Sequence, residues 1–104
     1  RDALMYLGLA YAAKKQFSKA TSTLAELVAR TPADATGRYN LACVLALSGD
    51  SEAAMGELTE SLQQEPSLIA HAKQDDDLKS LRGLPAWDAL FQKLTSAPVG
   101  PSER

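Results

Sequence analysis

His71 and Asp75 stand four residues apart, a spacing that could set both on one helix face and hold a metal ion. Two ligands on an exposed helix make a poor site, so no metal is expected. The run Asp75-Asp76-Asp77 offers hard oxygen ligands to a divalent cation, yet its simpler work is to cap a short helical turn. Cys43 is the only cysteine and could act as a redox or nucleophilic thiol. Its helix offers no cationic neighbour to lower the thiol pKa, so Cys43 reads as an inert packing group. Trp87 and Phe91 could form a stacking platform for a base or sugar. With Leu90 and Leu94 they fall at helical spacing and read instead as the core of a last helix. Nothing combines a nucleophile, a base and a charge stabiliser, and no phosphate loop or zinc spacing occurs. The chain is therefore expected to be no enzyme and to use no cofactor.

The elements that carry these residues repeat. Shifted by 34 positions, the sequence lands on itself: Leu7 on Leu41, Ala12 on Ala46, Ala20 on Ala54, Leu24 on Leu58, Glu26 on Glu60, Pro32 on Pro66. Size class is kept where identity is lost, as Gly8 on Ala42, Tyr11 on Leu45 and Val28 on Leu62. Such a period marks stacked helix pairs, none able to bury its apolar face alone. Helices are expected over residues 3–13, 17–30 and 35–47. A fourth follows a cap at Asp50 or Ser51, and Asp34 caps the third. Thr31 and Pro32 stop the second, because a residue before proline is pushed out of the helical region, and Pro66 closes the second unit as Pro32 closes the first. Beyond Pro66 the register fails, since Asp75, Asp88 and Gln92 fall where Leu41, Ala54 and Leu58 would recur. Leu68–Lys73 still reads as helical. A capped turn holds Leu78 and Leu81, Gly83 ends it, and Pro85 opens the last helix.

Composition narrows the class of function. A 104-residue chain with 45% hydrophobic residues folds as one domain and is not intrinsically disordered. Its charge of −2 is scattered, without the basic face that nucleic acid requires. No apolar run approaches the roughly 20 residues that span a bilayer, so no membrane insertion is expected. One cysteine leaves the compartment undetermined, with the cytoplasm as default. The chain opens on Arg1 and is read as a piece of a longer protein.

The occupied positions resemble the tetratricopeptide repeat. The first unit offers Leu4, Leu7-Gly8, Tyr11, Ala20, Leu24, Leu27 and Pro32, and the second Leu41-Ala42, Leu45, Ala54, Leu58 and Pro66. Leu4 in place of the usual Trp, Arg38 at the equivalent position, and Ser61 depart from the pattern. Gly8, Ala42, Ala20 and Ala54 are small where helix backbones approach, and Leu7, Tyr11, Leu41 and Leu45 fill the space between helices. The stretch with Ala72, Asp75, Asp77-Leu78, Leu81-Arg82, Pro85, Trp87 and Leu90 looks like the segment that closes such arrays in some members.

The resemblance implies an all-α fold: antiparallel helix pairs stacked as a short right-handed α-solenoid, with an irregular C-terminal closing helix. A single domain would span residues 1–96: one repeat over 1–34, a second over 35–68, and atypical closing helices over 69–96. Residues 97–104 would form a disordered tail.

It also implies a concave groove lined by Met5, Leu9, Ala12, Ala13, Tyr39, Asn40, Cys43, Ala46 and Leu47. The helices carrying these residues are apolar nearly all round, so one side needs a cover: a partner peptide or helix, a second copy of the chain, a missing upstream repeat, or the chain's own folded-back terminal helix. The expected function is non-enzymatic protein–protein interaction, with a partner peptide or helix in an apolar groove of Met5, Leu9, Tyr39, Asn40, Cys43 and Leu47. Self-association as a homodimer is the alternative. Tyr39→Glu is expected to abolish capture with helicity intact. Some members grip acidic chaperone tails through a clamp whose positions here are Met5, Leu9, Asn40, Ala70 and Gln74. Only Asn40 matches and the cations are absent, so that clamp is not expected.

Overall fold

A computed structural model describes residues 2–95, which are helical throughout with no strand among them. Four helices come first: α1 (Asp2–Ala13), α2 (Phe17–Arg30), α3 (Ala35–Leu47) and α4 (Ser51–Gln64). A 3₁₀ turn at Pro66–Leu68 leads into α5 (Ile69–Gln74), a 3₁₀ helix (Asp76–Leu81) and α6 (Pro85–Thr95). The tail expected over 97–104 lies outside the described residues.

Each of the first four helices packs on the next, the 3₁₀ helix lies on α3, and α6 lies on α4. One continuous core results. Leu24, Leu27, Leu58, Leu62, Leu78 and Leu81 are all fully buried in it, so the closing segment shares the interior of the first four helices. Trp87 and Phe91 take the packing role their spacing predicts, with stacked rings 4.3 Å apart and the Arg82 guanidinium 5.7 Å from the indole.

The 34-residue repetition extends to the backbone. After α1, Lys15 N–H donates to Ala12 and Gln16 N–H to Tyr11; after α3, Gly49 N–H donates to Ala46 and Asp50 N–H to Leu45. Thr31 (φ −133°) ends α2 and Glu65 (φ −138°) ends α4, each with its N–H on the carbonyl four residues back. The turn after α3 needs a left-handed residue, and Gly49 supplies it at φ 92°. The equivalent position after α1 is Lys15, at φ 61°. A side chain there costs about 1–2 kcal/mol, part of which glycine gives back as extra freedom in the unfolded chain. Lys15→Gly is therefore expected to stabilise the protein by about 0.5–1 kcal/mol, read as a Tm rise of roughly 4 °C. An unchanged or lower Tm would show that the strain at Lys15 is already relieved.

Two of the three departures from the repeat pattern, Arg38 and Ser61, make polar contacts. Arg38 reaches Glu57 at 3.2 Å and the Pro32 carbonyl at 2.9 Å. Ser61 is fully buried and donates to the Ala35 carbonyl at 2.8 Å, which offsets the cost of burying a hydroxyl. Asp34 accepts from Gly37 N–H, and Asp50 rather than Ser51 caps α4 by accepting from Ala53 N–H.

One packing expectation is corrected. Leu41 and Leu45 are buried and Tyr11 is half-buried, but Leu7 is exposed. Leu41 lies on the helix that α2 covers, whereas no described element packs on the Leu7 side of α1.

Candidate functional site

Tyr39 and Cys43 sit one turn apart on α3 and face the closing segment. They are 4% and 6% exposed. Asp75 meets them there, at the junction between α5 and the 3₁₀ helix. Its Oδ2 accepts from the Tyr39 hydroxyl at 2.8 Å, and the Cys43 sulfur lies 3.9 Å away. His71 Nε2 is 3.3 Å from the same oxygen, and its ring lies 5.7 Å from that of Tyr39. Asp75 Oδ1 accepts from Asp77 N–H, which makes Asp75 the cap expected of this acidic run. Arg82 then ties the backbone down, donating to the Asp75 carbonyl at 2.6 Å and the Lys73 carbonyl at 3.1 Å. The cluster is a clasp that holds the C-terminal segment on α3.

Burial, then the hydrogen bond to Asp75 and nearby negative charge, push the Tyr39 phenol far above its usual range. Burial, then the charges of Asp75 and Asp77, do the same to the Cys43 thiol. Burial and its two acidic neighbours raise the Asp77 carboxyl. Cys43 Sγ and one carboxylate oxygen each of Asp75 and Asp77 lie within 4.8 Å of one another, close enough to share a cation. However, Asp75 Oδ2 is already engaged by Tyr39 and the thiol holds its proton tightly, so the arrangement works as a hydrogen-bond network.

The raised values set a direction for alkaline pH. Both groups keep their protons in the folded chain beyond the ordinary values of 9.0 for Cys43 and 10.0 for Tyr39. The unfolded chain releases them sooner. Their contribution is fully present below pH 9.0 and is lost as pH climbs past 9.0 and then 10.0. Stability should fall by up to about 1.4 kcal/mol per pH unit for each group. Urea unfolding between pH 8 and 11 should show this fall, and the double variant Tyr39→Phe/Cys43→Ala should flatten it. A wild-type curve already flat over that range would contradict the burial of these protons.

The expected groove residues separate into two sets. Tyr39 and Cys43, expected to stand open, are covered by the chain's own residues 71–78. Met5 is buried too, and its sulfur accepts from Asn40 Nδ2 at 3.1 Å. The half-buried Asn40 thus spends its amide inside the molecule. A Tyr39→Glu change would disrupt this packing, so it is not the clean surface test expected from the sequence. The remaining two stay open: Leu9 is 40% and Leu47 45% exposed. Leu47 borders a shallow recess of about 340 Å³, lined also by Ala46, Asp76, Asp77, Lys79 and Ser80. Tyr6 (71%) and Leu7 (44%) are the other large apolar side chains exposed among the described residues.

The clasp had half a signal in the sequence, because an Asp two residues before a helical N–H reads as a cap. Its bond to Tyr39, 36 positions away, had none. No family model, curated protein or solved structure matches this chain. No helix among the described residues is long and apolar enough to cross a membrane.

Proposed function

We propose that this chain is a non-enzymatic protein-interaction module of the tetratricopeptide type, two stacked helix hairpins closed by α6. A partner peptide or helix docks by apolar contact at Leu9 and at the Leu47 recess. The observation that carries this reading is where the exposed large apolar side chains fall. All four lie on α1 or at the end of α3, while the large apolar side chains of α2, α4 and α6 are buried or half-buried. Leu9 and Leu47 are the two of these on the expected groove side, and exposed apolar surface of this kind marks a contact site. The recess adds direction, since Asp76, Asp77 and Lys79 on its rim can bond a partner's polar groups while Ala46 and Leu47 hold its apolar ones.

The test is capture of binding proteins, identified by mass spectrometry, with the intact chain and with Leu9→Glu/Leu47→Glu. Both leucines are exposed, so the variant should keep its helical content and Tm within a few degrees. Specific partners should be lost with it, and capture by the intact chain should change little with salt, because apolar burial is not screened. A partner retained equally by the variant would remove Leu9 and Leu47 from the site.

A further inference from the structure

The outer face of α1, built from Ala3, Tyr6, Leu7 and Ala10, carries no charged residue and is left uncovered by the described residues. The molecule itself shows what such a face receives. Moved 34 positions along the chain, these residues become Gly37, Asn40, Leu41 and Val44 on α3. That is the side of α3 that meets the first hairpin. A Cβ on Gly37 would come within 3.1 Å of Leu27 on α2, Asn40 bonds Met5 on α1, and Leu41 and Val44 are buried. The exposed face of α1 therefore continues, one period earlier, an interface already formed inside the protein.

We infer that the α1 face is a docking surface for one more helical hairpin, whose second helix carries a stripe spaced like Ala20, Leu24, Leu27 and Val28. This rests on the stacked-hairpin reading above. A second copy of this chain does not supply that stripe. Its α2 is already covered by α3, and its α4, where the stripe recurs, is occupied by its own 3₁₀ elements and α6. Among the described residues, the stack is thus covered on its α4 side and uncovered on the outer side of α1. Tyr6 and Leu7 would be the main contacts, Tyr6 taking the place Asn40 takes against Met5.

A copy of residues 1–34 fused directly ahead of Arg1 supplies the proposed hairpin. Asp34 of the copy then precedes Arg1 as it precedes Ala35 in the chain. The fused protein should unfold in one transition with Tm raised by roughly 10 °C, because a neighbour interface is added. Leu7→Glu in the original α1 should erase that gain, yet leave the Tm of the unfused chain within about 2 °C. No gain, failure of the fused chain to fold, or a gain that survives Leu7→Glu would overturn the inference. So would sedimentation showing that the unfused chain already forms a dimer that Leu7→Glu dissociates, since a second copy would then hold the face. Loss of partner capture through Leu9 and Leu47 is a separate readout, so either reading can fail alone.

Discussion

Asp75→Ala should lower stability by about 3 kcal/mol. The change strips the buried Tyr39 hydroxyl of its acceptor, and an unsatisfied buried hydroxyl costs about 1–3 kcal/mol. It also removes the cap on Asp77 N–H, which adds about 1 kcal/mol. The loss should appear in urea as a lower midpoint with an unchanged slope. The Tyr39 bond can be isolated by a double-mutant cycle. With Tyr39→Phe in place there is no hydroxyl to strand, so Asp75→Ala should cost about half as much. Equal costs in both backgrounds would mean that Asp75 acts through its cap alone. Because Asp75 joins the closing segment to α3, its loss should also raise hydrogen exchange across α5 and the 3₁₀ helix before α1 and α2 are affected.

The second large effect is expected at Gly8. A Cβ built there would lie 2.6 Å from both Cγ and Cδ2 of Leu24, which is fully buried and cannot step aside freely. Gly8→Val should cost about 3 kcal/mol through overpacking, or some 15 °C in Tm. Gly8→Ala should come out milder, because better helix propensity returns up to about 1 kcal/mol. The second hairpin holds Ala42 at the equivalent position, fully buried, so the repeat accepts a methyl where the spacing permits. Alpha-helices α1 and α2 are packed too closely for one. A Gly8→Val protein as stable as the parent would mean that Leu24 has an alternative rotamer at little cost.

These two expectations also separate the local from the long-range in this chain. The glycine and alanine pattern at Gly8, Ala20, Ala42 and Ala54 could be read without coordinates, because close helix approach demands small residues and the repeat displays the demand twice. Tyr39 and Cys43 were legible as apolar positions needing a cover, but the cover itself was not. Asp75 lies 36 positions from Tyr39, about a third of the chain away, and nothing local ties the two.

The amino-acid order alone determined the period, the bounds of the first four helices, their stops at Pro32 and Pro66, the cap at Asp34, and an amphipathic α6, and it narrowed the α4 cap to Asp50 or Ser51. All of these follow from backbone rules acting within a few residues, and the 34-residue offset states the helix pairing and the proline stops a second time. Tertiary structure alone decided which sides of α1 and α3 are covered. Both helices are apolar nearly all round, so periodicity names no inward face for them. Only the docking of residues 69–81 on α3 buried Tyr39 and Cys43, and only the lack of any described element beyond α1 left Tyr6 and Leu7 in water.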